Sequence, residues 1–390
     1  MPTPRELLTR LRTSPRLVGL LVAVVALTAA AVLDVPGRLA SLAPADQGPT
    51  PTVSSAASPS ASPPPQGRLS SLTNADNQQL DRCTPGAEQL ARCGPAPALG
   101  DGTWFGTDGG APLQLADLRG SVVLVDFLSG SCVSCRRFVR YLNTWQKTYG
   151  SVGLRVVGVH SPEHDFERDD RQVGATLDRL GIGFPVVQDR GFATLTDYRT
   201  QVLPSTYVVD AAGTVRAITL GEGGAARIER QLRTLLRDRD PAVDLPEAVG
   251  TIDGTDVAPG TTSPIDLGRS DGRRHDTESD TVVGEDTRFR LPPTQPDDTF
   301  SFGGLWTVGS DGSVPREFAV SRVSYRGRTA LQVVGGTGTL TVTTGQGTTR
   351  RIDVDGPPDL VAIAASAESR RQTLTVRYEG DLRVYAFSFG

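Results

Sequence analysis

Two of the chain's four cysteines, Cys132 and Cys135, flank Val133-Ser134 directly after a Ser129-Gly130-Ser131 turn. Before the turn runs an apolar stretch of strand length, Val122 to Leu128. After it, Phe138, Leu142, Trp145 and Tyr149 recur at steps of four, three and four, which puts one apolar stripe on a helix. The pair therefore falls where strand becomes helix. Unsatisfied N–H groups and the helix dipole favour negative charge there, so an exposed Cys132 sulfur is expected to ionise below the usual thiol value of about 8.5. A thiolate is the attacking species in disulfide exchange, and Cys135, one turn further in, can resolve a mixed disulfide intramolecularly. Such a pair is a reversible two-electron switch.

Three other readings of this spacing compete. Half a zinc site needs a second close pair, but Cys83 and Cys93 have nine residues between them and lie beyond a Gly/Pro-rich segment. Haem attachment needs His after the second Cys, where Arg136 stands. A static disulfide is the third. The strand before the motif and the helix after it favour the redox-active reading.

Asp126 interrupts the apolar run six residues before Cys132. Buried within such a strand, its carboxyl would have a raised pKa and could take or give the Cys135 proton during exchange; at a solvated sheet end it would do neither.

A chain of 390 residues has room for two or three domains, and a net charge of -4 points to no nucleic-acid or polyanion partner. Arg5, Arg10, Arg12 and Arg16 precede an uncharged apolar run from Leu17 to Leu33. As a helix this run spans roughly 26 Å, near the short limit for a bilayer. The arginine imbalance predicts a membrane anchor over residues 1–34, with its amino end in the cytoplasm and the rest of the chain outside. Ala29-Ala30-Ala31 allows a cleaved signal peptide instead. Residues 35–72 read as a disordered Pro/Ser/Ala tether, and 73–99 as a pre-domain segment carrying Cys83 and Cys93. Outside the cytoplasm those two are expected to form a structural disulfide, a relay to the Cys132/Cys135 pair being the alternative.

Residues 100–240 show strands alternating with helices. The strands are Val122 to Leu128, Leu154 to His160, Pro185 to Gln188, Pro204 to Asp210 and Thr214 to Leu220. The helices follow Cys132, cover Asp169 to Leu180 and Phe192 to Tyr198, and end with Ala225 to Leu236. This order predicts an α/β thioredoxin-like sheet. The passages APLQLADLRGSVVLVDF, VVGVHSPEHDFERD, FPVVQD and LPSTYVVDAAGTVR, with the Cys motif, resemble the membrane-tethered thioredoxin-like oxidoreductases of the TlpA/ResA group, and most nearly the thioredoxin-like part of DipZ-type cytochrome c biogenesis proteins. The resemblance implies Cys132 as nucleophile, Cys135 as resolving thiol and Pro204 as the cis-proline beside the disulfide, and thioredoxins keep a buried acid at the offset of Asp126. A cis X-Pro bond costs little, and an edge strand starting at Pro204 would offer free backbone groups to a substrate strand; an ordinary trans-proline opening a strand is the alternative.

Departures from that pattern matter too. Leu128 and Ser131 stand where aromatic residues are common, and Val-Ser between the cysteines holds no His or Pro. Only the helix terminus, with Arg136 or Arg137, is left to stabilise a Cys132 thiolate, so a moderately reducing couple is expected rather than a DsbA-like oxidant. His160 and His164 raise a Sco-like copper role, but Sco-type proteins place three residues between their cysteines, and solvated loop histidines are expected. The Thr-x-x-Cys context of peroxiredoxins is missing.

Residues 241–298 read as a loop-rich connector, with TTSPIDLG resembling the DipZ type. Residues 299–390 read as an all-β sandwich of short strands (Phe318 to Tyr325, Leu331 to Val334, Leu340 to Thr343, Leu374 to Tyr378) broken by Gly-rich turns. GGLWTVG and LRVYAFSFG resemble the carbohydrate-binding-module-like end of DipZ-type proteins. Trp306, Tyr325, Tyr378 and Tyr385 are expected in its core rather than in a ligand groove.

The sequence thus reads as an extracytoplasmic, membrane-anchored thiol-disulfide oxidoreductase that needs no cofactor. By resemblance, its partners are exported cysteine proteins such as apocytochrome c and a separate CcdA-like membrane electron donor. A cell-envelope binding protein on a redox-inactive thioredoxin-like scaffold is the alternative.

Overall fold

The computed structural model describes residues 68–254, 257–268, 272–275 and 281–390. The expected anchor and most of the tether lie outside them, and no helix among the described residues is long and apolar enough to cross a membrane.

The amino-terminal part is a six-stranded sheet: β1 (Trp104–Phe105), β2 (Val122–Leu128), β3 (Leu154–His160), β4 (Val186–Gln188), β5 (Ser205–Val209) and β6 (Val215–Leu220), in the order β1-β4-β3-β2-β5-β6. Strands β2, β3 and β4 are parallel neighbours, while β5 and β6 run antiparallel to complete a thioredoxin-like α/β unit. Helices α1 (Val133–Tyr149), α2 (Asp170–Arg179), α3 (Ala193–Asp197) and α4 (Ala225–Arg239) connect or follow them.

Side chains alternate across a strand, so β2 feeds two cores. Val122, Leu124 and Leu128 join Phe138, Leu142 and Trp145 of α1 and Leu232 and Leu236 of α4 on one face. Val123, Val125 and Phe127 point to the other, where Leu80, Cys83, Cys93 and Leu99 cover them. Residues 73–99 therefore pack onto the α/β unit. They complete the second face and cap the sheet edge at β6, with N–H groups of Gly86, Ala91, Cys93 and Ala96 donating to carbonyls of Ile218, Arg216, Val215 and Gly213. An exposed edge is thereby paired. Cys83 and Cys93 are joined, their Cα atoms 5.3 Å apart.

Beyond the connector the chain is all-β: β7 (Ile265–Asp266), β8 (Asp286–Phe289), β9 (Phe300–Gly309), β10 (Gly312–Pro315), β11 (Val320–Thr344) and β12 (Thr349–Phe389). Two departures from the sequence reading stand out. First, β7 and β8 lie in the stretch read as loop, and pair with β12 and β9. Second, the short strands merge into two long ones that wrap one core in a continuous sheet: residues 329–344 of β11 pair with 349–365 of β12 on one side and with 374–389 on the other. The Gly-rich runs that read as turns lie inside β11, because a side chain at Gly336 would collide with the Asp381 carbonyl. Phe318 heads no strand; it sits exposed with positive φ. Trp306, Tyr325 and Tyr378 are buried, Trp306 stacking on Phe302.

Candidate active site

Cys132 is the N-cap of α1, and its Sγ accepts from Cys135 N at 3.0 Å. Ser134 Oγ lies 3.2 Å from the same sulfur. The two cysteines form a disulfide with Cα atoms 5.2 Å apart. Cys132, expected to be exposed, is only 6 % exposed, and Cys135 1 %. The reason is the β region, which roofs the motif. Cys132, Ser134 and Leu203 share a cavity of about 570 Å³ with Pro264, Asp266, Ala386 and Ser388.

Three links close this roof over the α/β unit. Arg136 of α1 reaches Asp359 of β12, which Arg179 also approaches at 3.3 Å. His164 Nδ1 meets Asp311 at 2.9 Å. Tyr385 packs edge-on against Phe166, centroids 4.9 Å apart, and against His164. Tyr385 thus belongs to this interface rather than to the all-β core.

Neither arginine expected to stabilise the Cys132 thiolate is available for it. Arg136 also donates to the Gly130 carbonyl, and Arg137 makes a two-point pair with Glu222 at 2.6 and 2.8 Å. Nor are the histidines solvated. His160 closes β3, 1 % exposed with Nε2 3.8 Å from Glu167, and His164 faces Asp311. Both imidazoles face carboxylates, and His164 also borders the cavity that Cys132 lines.

Asp126 is 1 % exposed and, by the alternation of β2, projects to the face where α1 and Cys135 pack. Burial pushes its pKa well up, against a hydrogen bond donated by Thr206 Oγ1 at 2.8 Å, while Oδ2 has no protein partner. A carboxyl in that setting keeps its proton to higher pH than a solvated one.

The Leu203-Pro204 peptide is cis. The strand it opens is interior, however, between β2 and β6, and the Pro204 carbonyl already accepts from Gly221 N at 2.8 Å. Backbone groups for a visiting strand are thus limited to the chain before Pro204, where Val202 and Leu203 border the cavity.

Glu167, Asp311 and Asp359 were given no role by the sequence reading. Glu167 stands in the quoted His-Asp-Phe-Glu, a spacing that suits a residue reaching back to a turn start. Asp311 and Asp359 carry no local signal, because their partners lie more than a hundred residues away.

A parallel-cored sheet with a Cys-x-x-Cys pair at a helix start and a cis-proline beside it defines a thioredoxin-like protein. Residues 99–218 match the AhpC/TSA family, and residues 266–390 match the thioredoxin-like C-terminal domain family. Over 328 residues the chain is 35 % identical to the DipZ protein of Mycobacterium bovis, covering 83 % of this chain and 47 % of that one. It is 30 % identical over 122 residues to the thiol-disulfide oxidoreductase ResA of Geobacillus kaustophilus, covering 31 % of this chain and 67 % of ResA. A solved thiol-disulfide isomerase from Corynebacterium glutamicum aligns with 36 % of this chain and 96 % of its own, at 27 % identity and a TM-score of 0.31. The chain belongs to the thioredoxin-like thiol-disulfide oxidoreductases, and it spans about half the length of the DipZ proteins it matches.

Proposed function

We propose that this chain exchanges disulfides with exported cysteine proteins through Cys132 and Cys135, from a membrane-anchored position outside the cytoplasm. One observation carries the reading: Cys132, disulfide-bonded to Cys135 one turn into α1, caps that helix and lines a cavity bordered by the residues before cis-Pro204. In the reducing direction, the Cys132 thiolate attacks one sulfur of a client disulfide, forms a mixed disulfide and releases a client thiolate. Cys135 then gives its proton to Asp126 and attacks Cys132 Sγ. The second client thiol leaves, and Cys132 and Cys135 are oxidised by the two electrons the client gains. A separate CcdA-like membrane donor would return the pair to dithiol. Apocytochrome c is a candidate client on the strength of the DipZ and ResA relationship. The arginine-flanked apolar run before residue 34 supports the anchored location.

The binding-protein alternative has the 6 % exposure of Cys132 in its favour. Thiol labelling of membranes before and after mild reductant separates the two. Reversible labelling of Cys132 supports exchange; a Cys132 that never labels under native conditions supports a scaffold. A potential above about -150 mV would contradict the moderately reducing couple.

A further inference from the structure

The turn that delivers Cys132 to the start of α1 is tied to a carboxylate with no part in the exchange steps. Glu167, on the turn Asp165–Arg168, is 3 % exposed. Its oxygens accept from Ser129 Oγ at 2.8 and 2.9 Å, from Ser131 N at 2.8 Å and from Ser131 Oγ at 3.0 Å. From behind, the N–H groups of Glu163 and His164 donate to it at 2.8 and 3.3 Å. A carboxylate offers about four lone-pair positions. These donors fill them, and a protonated carboxyl could not serve them all.

The surroundings keep that charge in place. Burial works against it, but His160, the Ser129 hydroxyl and Ser131 N–H outweigh burial and hold the Glu167 carboxyl at about 2. The titratable and charged groups facing the turn are His160 from β3, Glu163 and His164 from the following loop, the Glu163 Oε2 sharing the Ser129 and Ser131 hydroxyls at 3.3 Å, and Arg136 from α1 on the Gly130 carbonyl. From α2, Thr176 comes so close that a Cβ at Gly130 would lie 2.7 Å from its methyl, and the Arg179 guanidinium donates to the Thr176 hydroxyl at 2.9 Å.

We propose that Glu167 is a positioning residue for Cys132: it clamps the Ser129–Ser131 turn, and its charge, hydrogen-bonded to the residue before the cysteine, opposes the Cys132 thiolate and makes the couple more reducing. A nearby negative charge disfavours a second one, and a less stable thiolate means a less stable reduced form. This rests on the exchange reading above. It also supplies what the missing aromatic residues before the motif leave open, namely what holds the turn.

The test is the equilibrium of the full chain with glutathione, alongside the pH dependence of Cys132 alkylation. Glu167→Gln is expected to move the equilibrium about tenfold toward the dithiol, about 30 mV more oxidising, with alkylation starting at lower pH. Ser129→Ala removes a donor that disperses the charge without removing the charge, so it is expected to shift the couple about threefold the opposite way. A clamp without electrostatic influence would not give opposite signs. If both variants keep the wild-type equilibrium within twofold, or both shift alike, the proposal is overturned. Should Glu167→Gln not fold, Ser129→Ala alone decides: a reducing shift supports the proposal, and no shift or an oxidising one overturns it. A wild-type pair that never equilibrates with glutathione overturns the exchange reading and this inference together. A wild-type pair that equilibrates beside unmoved variants overturns this inference alone.

Discussion

His164 Nδ1 lies 2.9 Å from Asp311 Oδ1, and Asp165 N donates to the other oxygen of the same carboxylate at 2.7 Å, so one aspartate from the all-β region caps the loop after β3. The pair is one of two polar links over Cys132, the other being Arg136 with Asp359; Tyr385 against Phe166 is the apolar one.

Burial lowers the His164 pKa, but the Asp311 hydrogen bond and charge more than reverse this, and the net shift is upward from 6.5. A raised imidazole value means that the link is fully present below pH 6.5 and weakens as pH climbs through the folded value. Asp311→Asn should raise the rate of Cys132 labelling in the reduced protein about fivefold to thirtyfold at pH 6, consistent with a charge-assisted bond of about 1 to 2 kcal/mol. Wild type should approach the variant's rate by pH 9. Equal rates at both pH values would show that the pair does not govern access.

Asp126 gives an activity prediction and a stability prediction with different signs. As the proton acceptor for Cys135, its replacement in Asp126→Asn should slow insulin reduction by about 10²-fold. Its folded pKa is raised, so the native state holds more protons than the unfolded one above pH 3.8, and stability falls as pH rises through that window. Asn removes this penalty. The melting temperature of oxidised Asp126→Asn should therefore exceed that of wild type at pH 8 and match it near pH 4.

Glu167 works in reverse. Its value falls from 4.5 to about 2, which corresponds to roughly 3 kcal/mol favouring the folded state. That contribution is present above pH 4.5 and is lost as pH drops through about 2. Glu167→Gln should lower stability by up to that amount at pH 7 and by little at pH 2, as measured by denaturant midpoints.

The link between Cys83 and Cys93 closes a ten-residue separation. Loop-closure entropy for so short a span is worth about 2 to 3 kcal/mol. The double replacement by Ser should lower the denaturant midpoint accordingly and leave insulin reduction within twofold. A drop in activity with unchanged stability would point to a relay role instead.

What could be read from the sequence followed from local physics. The apolar run from Val122 to Leu128, broken only by Asp126, and the stripe through Phe138, Leu142, Trp145 and Tyr149 set β2 and α1 almost to the residue. Asp126 stood out because a carboxylate in such a run is anomalous. The exposure of Cys132 could not be read, because its roof is built from residues such as Asp266 and Ala386, far along the chain. Arg136 and Arg137 looked free for the same reason, their carboxylate partners being 223 and 85 residues away. In the all-β region, glycine was taken for punctuation where it permits close strand approach, so two long strands read as several short ones.

The central claim meets its most direct test in a Cys135→Ser variant of the full chain, incubated reduced with a disulfide-bonded polypeptide such as insulin and analysed by non-reducing mass spectrometry. The account predicts a covalent adduct on Cys132 that dithiothreitol releases, because the resolving thiol is gone. An unmodified Cys132, in protein whose thiol is shown to be reduced, would contradict it.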